Sequence, residues 1–205
     1  MGTRNLTAVF ADGEYKIAQY GQWDGYPEGQ GKTILKFLEE DGNIEKLKFA
    51  IARCRYMEPE GRDKEFLAEY EKNTPEWSNQ PDNRTAEQKR WFNTYISRDI
   101  GGEILENIAN SEDKEILLRN KINFAADSLF CEWCYVIDFD NNTFEVFIGF
   151  NHDPLAEGDR FYSAKQDEGK NKEYFPVKLI AKYFLSDLPT LEKFYEDCKE
   201  DEEDE

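Results

Sequence analysis

Four glycines and a proline lie between Tyr20 and Thr33, interleaved with Trp23, Asp24, Tyr26 and Glu28. The residue types of this stretch suit a ligand as well as they suit packing. Glycines let backbone amides come close to a bound group, and Trp23 and Tyr26 offer stacking faces. The stretch also runs into a helix whose first amides are donors at the positive end of a dipole. The candidate binding residues for an anion, a small ligand or a protein partner are therefore Tyr20, Gln22, Trp23, Asp24, Tyr26, Glu28, Gln30, Lys32 and Thr33. A compact loop whose aromatics simply cover the edge of the core would have the same composition.

Other constellations are less complete. Gly29-Gln30-Gly31-Lys32-Thr33 has the tail of a nucleotide-binding P-loop, with Val136-Ile137-Asp138 as a strand supplying a metal-binding Asp. The spacing fails, because the motif needs a glycine where Tyr26 stands and Gly25 is one place too far away. Cys131-Glu132-Trp133-Cys134 is a CxxC, yet no second CxxC completes a zinc site. Residues i and i+3 of a strand face opposite ways, so the two thiols are expected to diverge as small buried hydrophobes. His152, the only histidine, follows a strand with no Ser or Cys signature tied to it. Thr3 lies near a strand, as an N-terminal nucleophile of an amide hydrolase would, but another cleavage would be needed to expose it. No cofactor and no metal are expected from these motifs.

The elements that must position these residues are legible from pattern. Leu6 to Phe10 and Tyr15 to Tyr20 alternate like half-buried strands around Asp12-Gly13, a favoured hairpin turn. A helix over about Lys32 to Glu40 places Ile34, Leu35 and Leu38 on one face and ends at Asp41-Gly42. From Asn43 to Asn110 the pattern is mostly helical and reads as an insertion. Asn43 is the expected cap of a segment holding Leu47, Ala50, Ile51 and Cys54, and Thr85 with Gln88 is a capping box before Trp91, Phe92 and Tyr95. Asn73 to Asn83 has the composition of an exposed loop. Glu132 to Phe139 and Thr143 to Phe150 form a second hairpin. A strand over Phe175 to Phe184 alternates Val177, Leu179, Ala181 and Tyr183 with Lys178 and Lys182, and a helix from Leu188 closes the chain. The expected fold is one α+β domain. Its mainly antiparallel sheet is built from the N-terminal hairpin and the late strands, and helices cover it on at least one face.

Composition bounds the function. The formal charge is −18, and the tail Glu196 to Glu205 holds eight acids and one base, so −11 remains for the body. Such a field repels phosphate backbones and anionic lipid, arguing against nucleic-acid or membrane binding and for a basic partner, although acidity for solubility alone is common. No apolar run approaches the roughly 20 residues that span a bilayer, and the N-terminus lacks the apolar core of a secretory signal. Four cysteines without a disulfide framework point to reduced thiols in a cytoplasmic setting.

Gly2-Thr3-Arg4-Asn5-Leu6-Thr7 with Gln19-Tyr20-Gly21-Gln22-Trp23-Asp24-Gly25-Tyr26-Pro27-Glu28-Gly29-Gln30-Gly31, and later Glu132 to Asp138, resembles an uncharacterised family of bacterial and phage-encoded proteins. The resemblance implies a cytoplasmic setting and a phage accessory role, and no catalytic residue. The leading expectation is a non-enzymatic acidic interaction protein, one version being a phage-type inhibitor of a host system. It would bind a basic protein surface or a small ligand at the glycine and aromatic loop. The alternatives are an amide hydrolase with an N-terminal-nucleophile-like fold, and a phosphate-ligand binder at the helix start after the loop.

Overall fold

Asp12 and Gly13 take φ of 55° and 77°, the left-handed pair that a two-residue hairpin turn needs. They fold β1 (Asn5–Ala11) back on β2 (Glu14–Gly21). The computed structural model describes residues 2–57, 85–86, 98–164 and 173–199. After the hairpin come a single π-type turn (Pro27–Gly31), α1 (Lys32–Glu39), α2 (Asn43–Ile51) and β3 (Cys54–Tyr56). A 3₁₀ turn (Gly101–Glu103), α3 (Ile104–Ala109), β4 (Ile116–Leu118) and a second 3₁₀ segment (Ile122–Ala126) follow. The chain then runs through β5 (Trp133–Asp138), β6 (Thr143–Ile148), β7 (Lys178–Phe184) and α4 (Leu191–Asp197).

The main sheet has the order β2-β1-β5-β6-β7. Every neighbouring pair is antiparallel except β1 with β5, which is parallel. The fold is therefore α+β with a mixed, mostly antiparallel sheet. Because β1 and β5 run the same way, their following turns meet at one end of the sheet. There the Asp140 carboxylate accepts from the Asp12 and Gly13 amides at 2.8 and 2.9 Å, pinning one hairpin to the other.

Strand alternation sends two sets of side chains to two faces. Val9, Ala11, Ile17, Trp133, Tyr135, Ile137, Phe144 and Val146 form one core with α1, α2, α3 and Phe194 of α4. On the other face Leu6, Ala8, Cys134, Val136 and Phe147 pack with Ala125, Cys131, Phe161 and Val177. Irregular chain covers this second face, including the second 3₁₀ segment. Burying the α1 face of Ile34, Leu35, Phe37 and Leu38 is worth roughly 1.5–3 kcal/mol per side chain by area.

Several expectations are corrected. Cys54 does not continue α2. The helix ends at Ile51, and Cys54 starts β3, which pairs in parallel with β4 to make a small second sheet. Asn43 is the first helical residue and not the cap, which is Gly42 at φ 82°. The buried Asn43 side chain instead donates to the Phe37 carbonyl and the Glu40 carboxylate.

The Val177-to-Tyr183 alternation does not hold as one stripe. A bulge at Ile180 shifts the register, so Leu179 pairs with Phe147 while Ala181 pairs with Val146 on the opposite face. The Asn73 to Asn83 loop and the Gln88, Trp91, Phe92 and Tyr95 pattern lie outside the described residues.

Candidate functional site

The glycine loop is fastened from below. Gly25 donates its amide to the Thr3 carbonyl at 2.9 Å, Gln22 to the Arg98 carbonyl at 2.7 Å and Gln30 to the Asp24 carbonyl at 2.8 Å. From the core, the buried Tyr135 hydroxyl donates to the Gly25 carbonyl at 2.7 Å. Burial holds that phenol well above its ordinary range, so it is a permanent donor. Asn5, wholly buried on β1, donates to the Trp23 carbonyl at 3.3 Å. Gln30 grips the 3₁₀ turn, its Oε1 accepting from the Gly102 amide at 2.7 Å.

These bonds explain the glycines. A Cβ on Gly29 would sit 2.1 Å from the Asp24 carbonyl oxygen, and one on Gly31 would sit 2.9 Å from the Phe194 ring. Both positions are spent on close approach of the protein to itself.

What the fastening presents is specific. Asp24 is held at φ 54°, in the left-handed region. Trp23 and Tyr26 stand 49% and 40% exposed, and the neighbouring Asp24 and Glu28 are exposed as well. The inner edge of the Trp23 ring lies against Gly2, where a Cβ would come within 2.2 Å of it. The Tyr26 hydroxyl donates to Asp24 Oδ1 at 3.1 Å, a bond that raises the phenol pKa. Tyr20 donates to Gln22 Oε1 at 2.7 Å. Thr33 lies in the first turn of α1, its hydroxyl donating to the Gly29 carbonyl at 3.2 Å, and Lys32 beside it is half-buried. The Gly29 and Gly31 amides both turn inward to the Tyr26 carbonyl, at 3.0 and 3.4 Å. The loop thus brings Trp23, Asp24, Tyr26 and Glu28 to the surface and uses Tyr20, Gln22, Gln30 and Thr33 as internal ties.

A second site was missed by sequence reasoning. On the irregularly covered face lies a cleft of about 520 Å³. Its floor carries Asp138 at the end of β5 and Glu145 in the middle of β6, with side chains 1% and 4% exposed. Between them Arg160 donates Nε to Glu145 Oε2 at 2.5 Å and an Nη2 proton to Asp138 Oδ2. The guanidinium also lies over the Phe10 ring, 5.3 Å from its centroid. Lys182 of β7 reaches Glu145 Oε1 at 2.9 Å, and Asn141 donates its amide and side chain to Asp138 at 2.8 and 2.9 Å.

Burial pushes both carboxyls up in pKa. For Asp138 the bonds from Asn141 and Arg160 outweigh it, and for Glu145 those from Arg160 and Lys182 do, so both are held below the ordinary range. Arg160 is driven upward by the same partners despite its own burial. Asp138, Glu145 and Arg160 are therefore charged at neutral pH, and neither carboxylate is poised as a general acid. The signal in the sequence was Thr143-Phe144-Glu145-Val146-Phe147, where Glu145 shares a strand face with Phe147 and so points inward.

The CxxC thiols do not diverge. Cys131 precedes β5, so strand alternation does not govern it, and both Cys131 and Cys134 are fully buried in one cluster. Burial raises both thiol pKa values, which fits small hydrophobes. Among the described residues no group of three or more His, Cys, Asp and Glu is placed to hold a metal, and none of the described helices is long and apolar enough to cross a membrane. His152 sits in a loop, Nδ1 3.1 Å from the Glu173 carbonyl and its ring 4.4 Å from Tyr174. Thr3 precedes β1, its carbonyl tied to Gly25. Compared with protein-family models, curated proteins and solved structures, the chain matches none.

Proposed function

We propose that the protein is a non-enzymatic binding protein that docks a basic protein partner on the Trp23-Asp24-Tyr26-Glu28 face of its glycine loop. One observation carries the reading: hydrogen bonds tie the loop to Thr3, Asn5, Arg98, Gly102 and Tyr135, yet it leaves Trp23 and Tyr26 half-exposed beside the carboxylates of Asp24 and Glu28. Exposed Trp and Tyr on a rigid support are the residue types that dominate binding energy at interfaces, because they bury large area at little entropic cost. The flanking carboxylates and the −18 charge of the chain favour encounter with a positive surface. A phage-type inhibitor of a host system is one setting for such a surface.

The test is affinity capture from the producing cells with three baits: the native chain, a Trp23→Ala/Tyr26→Ala variant, and Phe184→Ser as a control on the exposed end of β7. A basic protein held by the native and control baits and lost from the loop variant is the expected result. Equal capture by all three would remove the loop as the docking face.

A further inference from the structure

The cleft over β5, β6 and β7 lies on the other side of the sheet from the helices, and the docking loop makes no use of it. We propose that it is a binding site for a small organic acid, a carboxylate carried on an apolar or aromatic body. Three observations point to that class.

The first is size and lining. A cleft of about 520 Å³ falls within the roughly 300–1,000 Å³ of small-molecule sites. Phe10, Phe147, Leu155, Phe161, Val177 and Leu179 give it an apolar wall facing the charged floor.

The second is charge. In a chain of −18, the lining of this cleft is close to balanced, with Asp138, Glu145 and Asp159 against Arg160 and Lys182. Asp159 at the rim is exposed, and its Oδ2 is engaged by the Ala156 amide at 2.7 Å. The cleft is thus less repulsive to an anion than the acidic chain around it.

The third is the direction of the unspent hydrogen bonds. All four oxygens of Asp138 and Glu145 already accept, from Asn141, Arg160, Lys182 and Thr143. These bonds take most of the roughly four acceptor sites of each carboxylate. Donor capacity remains, because an ammonium has three protons and Lys182, half-exposed at the cleft wall, spends one on Glu145. Tyr15, which lines the cleft and is kept neutral by burial, adds a hydroxyl there. A ligand meeting these groups must offer acceptors, and a carboxylate makes the stronger, charge-assisted bonds.

The test is calorimetric titration of the full chain with 3-phenylpropionate, its amide and 3-phenylpropylamine, three probes sharing one body. The acid should bind about tenfold or more tighter than the amide, the difference a charge-assisted bond makes, and the amine should bind weakest. Lys182→Met should weaken the acid by a similar factor and leave the amide little changed, while Phe184→Ser on the same strand should alter neither. A peptide ending in Phe with a free carboxylate distinguishes the source: binding equal to the acid assigns the site to chain termini, and weaker binding assigns it to free acids. Equal affinity for acid and amide, preference for the amine, or no effect of Lys182→Met on a folded protein would each overturn the proposal.

Discussion

Removing Arg160 tests the energetics of the sheet directly. Arg160→Met keeps an apolar stem of similar length and deletes the guanidinium, leaving Asp138 and Glu145, both nearly inaccessible to solvent, without their shared partner. Breaking a buried ion pair from one side costs about 3–5 kcal/mol, and loss of the stack on Phe10 adds about 0.5–1 kcal/mol. That is a large share of the roughly 5–15 kcal/mol that holds a domain folded.

The pH dependence carries the sign. In the native protein both carboxyl pKa values are depressed, so their contribution is present above the unfolded value of about 4 and lost as pH falls through the folded ones. Without Arg160, burial is less opposed and the folded values rise, so the variant loses stability as pH rises through them. The gap between native and variant should therefore be widest near pH 7.5 and narrow toward pH 5. Urea unfolding followed by fluorescence of the buried Trp133 measures it. Adding Asp138→Asn and Glu145→Gln to the variant should recover much of the loss, because no buried charge is then left unpaired. A loss below about 1 kcal/mol, the scale of an exposed pair, or one equal at both pH values, would mean that Arg160 does not hold two buried charges.

Three further outcomes follow from the same contacts. Gly31→Ala forces a methyl against Phe194 and the Tyr135 hydroxyl and should cost about 1–3 kcal/mol by overpacking, read as a lowered urea midpoint. Tyr135→Phe leaves the Gly25 carbonyl without its core donor and should cost about 1–3 kcal/mol, with faster amide exchange confined to the loop over Gly21–Gly31. Burial raises the Cys54 and Cys198 thiol pKa values to about 12 and pushes Cys131 and Cys134 up as well. At pH 8 a thiol of pKa 12 is ionised only about one part in ten thousand, so a disulfide reagent should label all four slowly in the native protein and at once in guanidinium.

Local chemistry was legible in the sequence, and distant pairing was not. Asp12-Gly13 declared its hairpin because few other residues accept positive φ at both places, and Ile34, Leu35 and Leu38 declared the buried face of α1. The parallel pairing of β1 with β5 has no local signature, since it depends on which strand edge the N-terminal hairpin meets. Arg160 stands 15 residues from Glu145 and 22 from Asp138, so their network exists only once β5, β6 and the following loop are assembled. The two CxxC thiols share one cluster because β5 starts at Trp133, two residues after Cys131, so strand alternation does not separate them. The stripe from Val177 to Tyr183 failed over one bulged residue, Ile180. At the candidate loop the composition marked the segment, but spacing alone does not separate glycines that face a ligand from those that face Asn5, Asp24 or Phe194.

The docking face is tested most directly by a photo-reactive amino acid at Trp23 in living cells, compared with the same group at Phe184, which is 64% exposed. A discrete adduct with one basic protein from position 23, and none of that adduct from position 184, is the expected result. The same adduct from both positions, or none from either, would contradict it.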